Sequence, residues 1–454
     1  MPQSPTTITD ELGIALGNLA DAAVAPFTPT LRLGVTGLSR AGKTIFITAL
    51  IHNLLTGGRL PGFAALTGKE PHWPESTRRI SQLRLALKFQ SKRWVSGMFG
   101  PTVLNLDIVD YPGEWLLDLP LLSLSFADWS EQALRRAELP HTQAESESFL
   151  REIGQTDVLK EANDADAERL AAAFTDYLRR SKEDGRAMST LPPGRFLMPG
   201  DLEGSPALTF APLPPPSAPV RLSSLYAMLE RRYEAYKAIV VRPFFRDHFA
   251  RLDRQVVLVD TLRALNAGPA AVADLETALT DILSCFRQGD NNVLTRLVAR
   301  RIDRILFAAT KADHIHSSSH DRLEALMNRL VADAARRARF AGAETRSMAI
   351  AAIRATRESV IDQGRERHEV IVGTPEAGET LDGVTYDGRT EIALFPGDLP
   401  EHPESLFDEG RPVALKFMRF RPPQRLEKNA EGSVVLPHIR FDRALDYLIG
   451  DWLK

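Results

Sequence analysis

The sequence predicts an α/β fold built on a mostly parallel sheet with helices on both faces. Three observations predict it. Short apolar runs alternate with helical patterns, one run leads directly into a Gly-rich loop and a helix, and the alternation breaks between Glu114 and Arg254 before resuming. The break has room for a mainly helical insertion. A β-like stretch after the last apolar run predicts a β-rich C-terminal extension ending in a helix.

Composition narrows the function classes. The 454 residues suit roughly three domains, and 44% apolar with 25% charged residues is ordinary globular usage. Fifty-six basic against 59 acidic residues leave a net charge of -3, so no nucleic-acid partner is expected. The single cysteine, Cys285, excludes an internal disulfide or a thiolate metal cage and reads as core packing in a reducing compartment. No apolar run reaches the ~18 residues a membrane span needs. The longest, Thr44 to Leu55, is interrupted by His52 and Asn53. The N-terminus lacks the basic start and apolar run of a secretory signal, so a cytoplasmic protein is expected.

In chain order, residues 8–24 read as an amphipathic helix whose acidic polar face favours docking on the protein itself over a membrane. Leu31 to Val35 is a strand running into GLSRAGKT at 37–44, and a helix follows to Leu55. Leu83, Leu85, Leu87 and Phe89 alternate with polar or small residues as a half-buried strand, and residues 103–109 give another. Within the break, Leu170, Phe174, Tyr177 and Leu178 share a helix face, with Gly185 as the stop. The Pro-rich stretch 192–219 carries Phe196, Leu197, Met198, Leu208 and Phe210, too apolar for a solvated tether, so an ordered strap is expected. A long helix from about Leu222 to Val241 follows. Gln255 to Val259, Ile305 to Ala309 and residues 347–353 are buried strands. Between them lie helices through Val272 to Phe286 and Leu323 to Val331, the latter with Ser319 as N-cap. After residue 368, HEVIVGT, TEIALF and VALKFMRF read as β, and residues 440–453 as a closing amphipathic helix. The domain layout is therefore residues 1–30 as an N-terminal helix, 31–114 with 252–368 as the core, 115–251 as the insertion and 369–454 as the extension.

The chemistry starts at GLSRAGKT, which fits G-x-x-x-x-G-K-[ST] from Gly37 to Thr44 between a strand and a helix. Gly37 and Gly42 let backbone N–H groups converge on a phosphate at the positive end of the helix. Ser39, Arg40, Ala41 and Ile45 complete the candidate phosphate contacts. Lys43, placed in a solvent-filled phosphate site, reaches the β- and γ-phosphates, and the Thr44 hydroxyl ligates Mg²⁺. Asp110 ends a strand in DYPG as the acid that holds Mg²⁺, and the Gly113 amide senses the γ-phosphate. Asp260, at the end of VVLVD, is a rival for the acid. In HWPESTRR, Ser76 or Thr77 offers a second hydroxyl for the metal, Arg78 a stabilising charge in cis, and Trp73 a cover for the nucleotide. Thr310-Lys311-Ala312-Asp313 follows another strand. The Asp313 carboxylate can accept from guanine N1–H and its exocyclic amine, a donor pair adenine lacks, while the Lys311 stem lies along the base. His314 adjoins the base site. Amides of Ala352, Ile353 and Arg354 would face the base oxygen.

Together GLSRAGKT, DYPGEWLLDLPLL, PPGRFLMPGD, FARLDRQVVLVDTLRALNAGP and TKADH resemble the YcjX-like family of bacterial P-loop NTPases, from Leu31 to the C-terminal helix. The resemblance implies a nucleotide core similar to Ras-like and Gα-like GTPases and an association with bacterial stress responses. The family has also carried the label of predicted ATPases; here TKAD favours guanine. The expectation is a Mg²⁺-dependent GTPase that switches between GTP and GDP states and acts on an unidentified protein partner. A membrane-associated partner, and peripheral residence at the inner membrane, stay open. The alternatives are an ATPase or kinase on the same P-loop and a nucleotide-gated adaptor with negligible turnover.

Overall fold

The computed structural model describes residues 29–37, 41–55, 81–89, 102–140, 142–182, 192–284, 302–363, 366–404, 415–423, 426–428 and 434–453. The described residues form two compact units. One draws on 24–111, 252–273 and 302–454, the other on 112–251 and 274–301.

The first unit is built on a sheet of β1 (Thr30–Gly37), β2 (Ser81–Phe89), β3 (Thr102–Asp110), β4 (Arg254–Val259), β5 (Arg304–Ala309) and β6 (Glu344–Ala349), in the order β2-β3-β1-β4-β5-β6. β2 is antiparallel to β3, and every other neighbouring pair is parallel. Parallel strands are covered on both faces, which is why β1 and β4 are buried along almost their whole length, polar residues included. The apolar run through β6 outlasts the strand. The chain leaves the sheet after Ala349, yet Ile350 and Ile353 remain in the core. Helix α1 (Lys43–Leu55) buries Phe46, Ala49, Leu50 and Leu54, one face at helical spacing. Burying the Phe46 ring alone contributes about 2 kcal/mol.

The second unit opens with a 3₁₀ helix, Gly113–Ser123, far longer than the three or four residues usual for that geometry. Helices α2 (Phe126–Ala137), α3 (Gln143–Gly154), α4 (Asp164–Ser181), α5 (Leu225–Tyr236) and α6 (Arg242–Asp247) follow, with a π-helical turn, Lys237–Val241, joining the last two. Ser125, Asn163 and Ser224 cap α2, α4 and α5 by accepting a backbone N–H three residues on. The Ser224 cap explains why α5 starts later than the apolar pattern suggests. The strap is ordered: Phe196 and Phe210 are buried, and Phe210 meets Trp129 edge-on while Trp129 stacks on Tyr233 with centroids 4.9 Å apart. Residues 8–24, Gly185 and Cys285 lie outside the described residues.

The chain then forms α7 (Thr261–Ala267), α8 (Pro269–Ser284), α9 (His320–Leu330), α10 (Ala332–Phe340) and, at the end, α11 (Phe441–Ile449). Ser319 stands at the start of α9 but its side chain makes no capping bond. The preceding 3₁₀ turn leaves it at φ -99°, ψ -3°, whereas capping needs an extended residue. After β6, β7 (Arg357–Gln363), β8 (Glu366–Gly373), the hairpin strands β9 (Thr380–Leu381) and β10 (Val384–Thr385), and β11 (Ile392–Leu394) make an antiparallel sheet β11-β8-β7 and the hairpin, so this sheet starts before residue 369, inside the segment assigned to the core from sequence. Strands β12 (Glu427–Lys428) and β13 (Val434–Val435) pair with each other. The segment expected as VALKFMRF contributes only a bridge between Phe420 and Pro375 among its described residues. Helix α11 is tied to the sheet by the buried Arg254, which donates to Asp303 at 2.9 Å, Asp451 at 2.6 Å and the Leu448 carbonyl at 2.7 Å.

Candidate functional site

The carboxyl ends of β1, β3, β4, β5 and β6 lie on one edge of the sheet, where open α/β sheets bind ligands. The Gly-rich loop leaves that edge at Gly37. A Cβ on Gly37 would stand 3.0 Å from the Cβ and the carbonyl oxygen of Leu258 on β4, a crowded approach that glycine makes without displacing its neighbours. Gly42 adopts φ +81°, a left-handed conformation, and its carbonyl accepts the Phe46 N–H at 2.9 Å as the first bond of α1. Ala41 is buried and Ile45 is 41% exposed. Ser39 and Arg40 lie outside the described residues, as do Trp73, Ser76, Thr77 and Arg78.

Lys43 does not stand in open solvent. Its Nζ is 2.8 Å from Asp110 Oδ1 and also donates to the Tyr111 carbonyl, and its side chain is 10% exposed. The parallel register pairs Val35 with Asp110, which brings the acid beside the start of α1. Burial, reinforced by the Asp110 charge, pushes the Tyr111 phenol well above its ordinary range, so Tyr111 is a neutral packing residue. Thr44 is half-buried in the first turn of α1. Gly113 follows Asp110 by three residues and opens the 3₁₀ helix of the other unit.

The two acids weighed from sequence have different partners. Asp110 pairs with Lys43, whereas Asp260 Oδ2 is 2.5 Å from Lys311 Nζ and its Oδ1 accepts the Arg263 N–H at 3.2 Å to cap α7. Asp260 therefore belongs with the TKAD loop. Lys311 itself has φ +61°, a conformation that costs a non-glycine residue about 1–3 kcal/mol and recurs at functional sites.

Asp313 is held by one main-chain and one side-chain donor. Its Oδ2 accepts the Ala355 N–H at 2.8 Å, and its carbonyl accepts the Thr356 hydroxyl. Oδ1 has no partner among the described residues. The Ala312 N–H donates to the Ile350 carbonyl at 3.1 Å, and His320 contacts the Ala312 carbonyl at 2.8 Å. His314 meets Phe420 edge-on at 5.4 Å, and burial lowers its pKa, favouring the neutral ring. In the facing turn the N–H groups of Ala352 and Ile353 are without partners among the described residues, while that of Arg354 donates to the Pro437 carbonyl at 2.7 Å. Of the three expected amides, that of Arg354 is thus committed to the main chain. Sequence reasoning missed the Asp260–Lys311 pair and the Tyr111 carbonyl. An acid at a strand end was the only local signal for either. Among the described residues no cluster of His, Cys, Asp and Glu forms a metal cage, and no helix is long and apolar enough to cross a membrane.

The model of the YcjX-like family, DUF463, matches residues 31–67 and 62–453. The Ras-like GTPase YcjX of Escherichia coli (strain K12) is 37% identical over 467 residues, covering 93% of this chain and 96% of the relative. The Ras-like GTPase YcjX of Shewanella oneidensis is 36% identical over 474 residues, covering 93% and 95%. A solved structure of the signal recognition particle receptor SRb-GTP/SRX complex from Chaetomium thermophilum covers 74% of this chain and 95% of its own at 12% identity and a TM-score of 0.26, too low to bear on the argument. The loop, the strand-end acids and the length of the family match agree, and this chain belongs to the YcjX-like family.

Proposed function

We propose that the chain binds GTP with Mg²⁺, hydrolyses it to GDP and acts as a nucleotide-dependent switch. One observation carries the reading: a phosphate-type loop with its strand-end acid and a base-type loop with its acid occupy the same edge of one parallel sheet. Lys43 and the amides at the start of α1 would bind the β- and γ-phosphates. Thr44 and Asp110 offer a hydroxyl and a carboxylate, the hard oxygen donors that Mg²⁺ takes, and they would hold it with Thr77 as a further hydroxyl. When bound, Mg²⁺ neutralises charge on the phosphate oxygens. Asp313 accepts from the two guanine donors, the Lys311 stem lines the base plane, and the Ala352 and Ile353 N–H groups face the base oxygen. Water then attacks the γ-phosphate, with Lys43 and Arg78 stabilising the spreading charge and the Gly113 amide sensing the departing group.

A thermal-shift comparison of GDP with ADP tests the base. A ligand bound only by the folded state raises the melting temperature according to its affinity. GDP should raise it by several degrees and ADP hardly at all. Equal shifts would turn the reading toward an ATPase or kinase. Specific GDP binding without single-turnover hydrolysis would make the chain a nucleotide-gated adaptor.

A further inference from the structure

Within the first unit, the C-terminal extension reaches both pieces of chain that meet at Asp313. Phe420, 6% exposed, lies in a segment that pairs with residues 374–376. There the Arg421 N–H donates to the Thr374 carbonyl and the Glu376 N–H to the Arg419 carbonyl, each at 2.8 Å. With Ile371, Leu394 and Met418, Phe420 forms a buried apolar cluster against which Ala355 packs. The same ring meets His314 edge-on, with centroids 5.4 Å apart. Gly373 closes the junction. A Cβ there would stand 2.9 Å from Phe420 Cδ1, 3.1 Å from Thr356 Cγ2 and 3.3 Å from the Ala355 carbonyl oxygen, so a side chain must displace one of them. Ala355 and Thr356 supply the donors to Asp313, at its Oδ2 and at its carbonyl. Phe420 therefore touches the loop that carries Asp313, one residue on, and packs on the turn that orients it.

We infer that Phe420 and Gly373 are positioning residues for base selectivity. They fix the spacing between the 310–314 loop and the 355–356 turn, and with it the direction in which the Asp313 carboxylate faces the base. The inference rests on the GTPase reading above. A hydrogen bond weakens steeply as it bends, so a carboxylate is aimed only while its donors keep their places. The ligand group that senses the aim is the exocyclic amine of guanine. Inosine nucleotides keep the N1–H and the base oxygen but lack that amine.

Titrations of GDP and IDP against full-length wild type, Phe420→Ala, Phe420→Leu and Gly373→Ala test it. The wild type should prefer GDP by ~10- to 100-fold, which is what one hydrogen bond to a charged acceptor supplies. Phe420→Ala empties the space between loop and turn, so GDP affinity should fall by ~10-fold and IDP affinity by no more than ~2-fold. Phe420→Leu keeps an apolar side chain at the junction and should restore most of the preference. Gly373→Ala wedges a carbon between ring and turn and should cut the preference by ~3-fold. Wild-type preference in both alanine variants overturns the inference. Equal losses for GDP and IDP overturn it too, because they mark a merely structural role. If Phe420→Ala does not fold, Gly373→Ala decides alone. A wild type that binds neither nucleotide, or both alike, sinks the base reading and the inference together. A wild type that discriminates, with variants that discriminate equally well, removes the inference alone.

Discussion

The two ends of the strand edge hold their acids differently. At the end of the Gly-rich loop Asp110 meets Lys43 side chain to side chain, and Lys43 also reaches the Tyr111 carbonyl. At the TKAD end Asp260 pairs with Lys311 in the same way, but the Asp313 carboxylate accepts the Ala355 N–H. A main-chain donor stays where the fold puts it, whereas an ion pair exchanges when a stronger charge arrives. On the proposed reading Asp313 is preorganised for the base, and the Lys43–Asp110 pair is where phosphate binding would rearrange charge.

The largest expected effect breaks the phosphate end. Lys43→Ala removes the proposed phosphate contact and the partner of Asp110, so GTP affinity should fall by ~10³-fold. The apo melting temperature should also drop modestly, because the lysine is folded inward. GTP titration and a melting curve read the two effects, and wild-type affinity would remove Lys43 from the site. Next comes Asp260→Ala, which frees the Lys311 ammonium at the base end. GDP should bind ~10-fold more weakly, with Asp260→Glu restoring part of the loss. Unchanged GDP binding would make the Asp260–Lys311 pair a surface decoration.

The smallest effect concerns pH and lies outside the strand edge. Burial raises the Asp118 carboxyl from 3.8 to about 6, against the pull of the hydrogen bonds from Tyr236 and Gly194. The unfolded chain gives up that proton first, so the group's contribution to stability is full below about pH 4 and lost as pH rises through about 6. Asp118→Asn should flatten the melting-temperature profile across that window. A slope identical to that of the wild type would mean that Asp118 does not titrate as its surroundings dictate.

How much of this was legible depends on range along the chain. β1, the Gly-rich loop and α1 are contiguous, so their pattern could be read directly. The meeting of Lys43 with Asp110 needs the strand order, because 67 residues separate them and only the β1–β3 pairing joins them. Asp260 shows the same limit. Both acids end strands, and choosing between them requires that β4 lie between β1 and β5, which puts Asp260 beside Lys311. Local reading also overreached at Ser319, where a residue type suited to capping is held in the wrong conformation by its neighbours. The meeting of Phe420 with His314 joins distant parts of the chain and leaves no periodic trace.

Asp313→Asn, titrated with GDP and with the xanthine nucleotide XDP, probes whether this chain recognises guanine through Asp313. The substitution replaces an acceptor by a donor at the proposed base contact, while the Ala355 and Thr356 contacts keep the loop in place. GDP affinity should fall by ~10²-fold and XDP affinity should rise above that of GDP. A variant that binds GDP as the wild type does, and ignores XDP, would contradict the account.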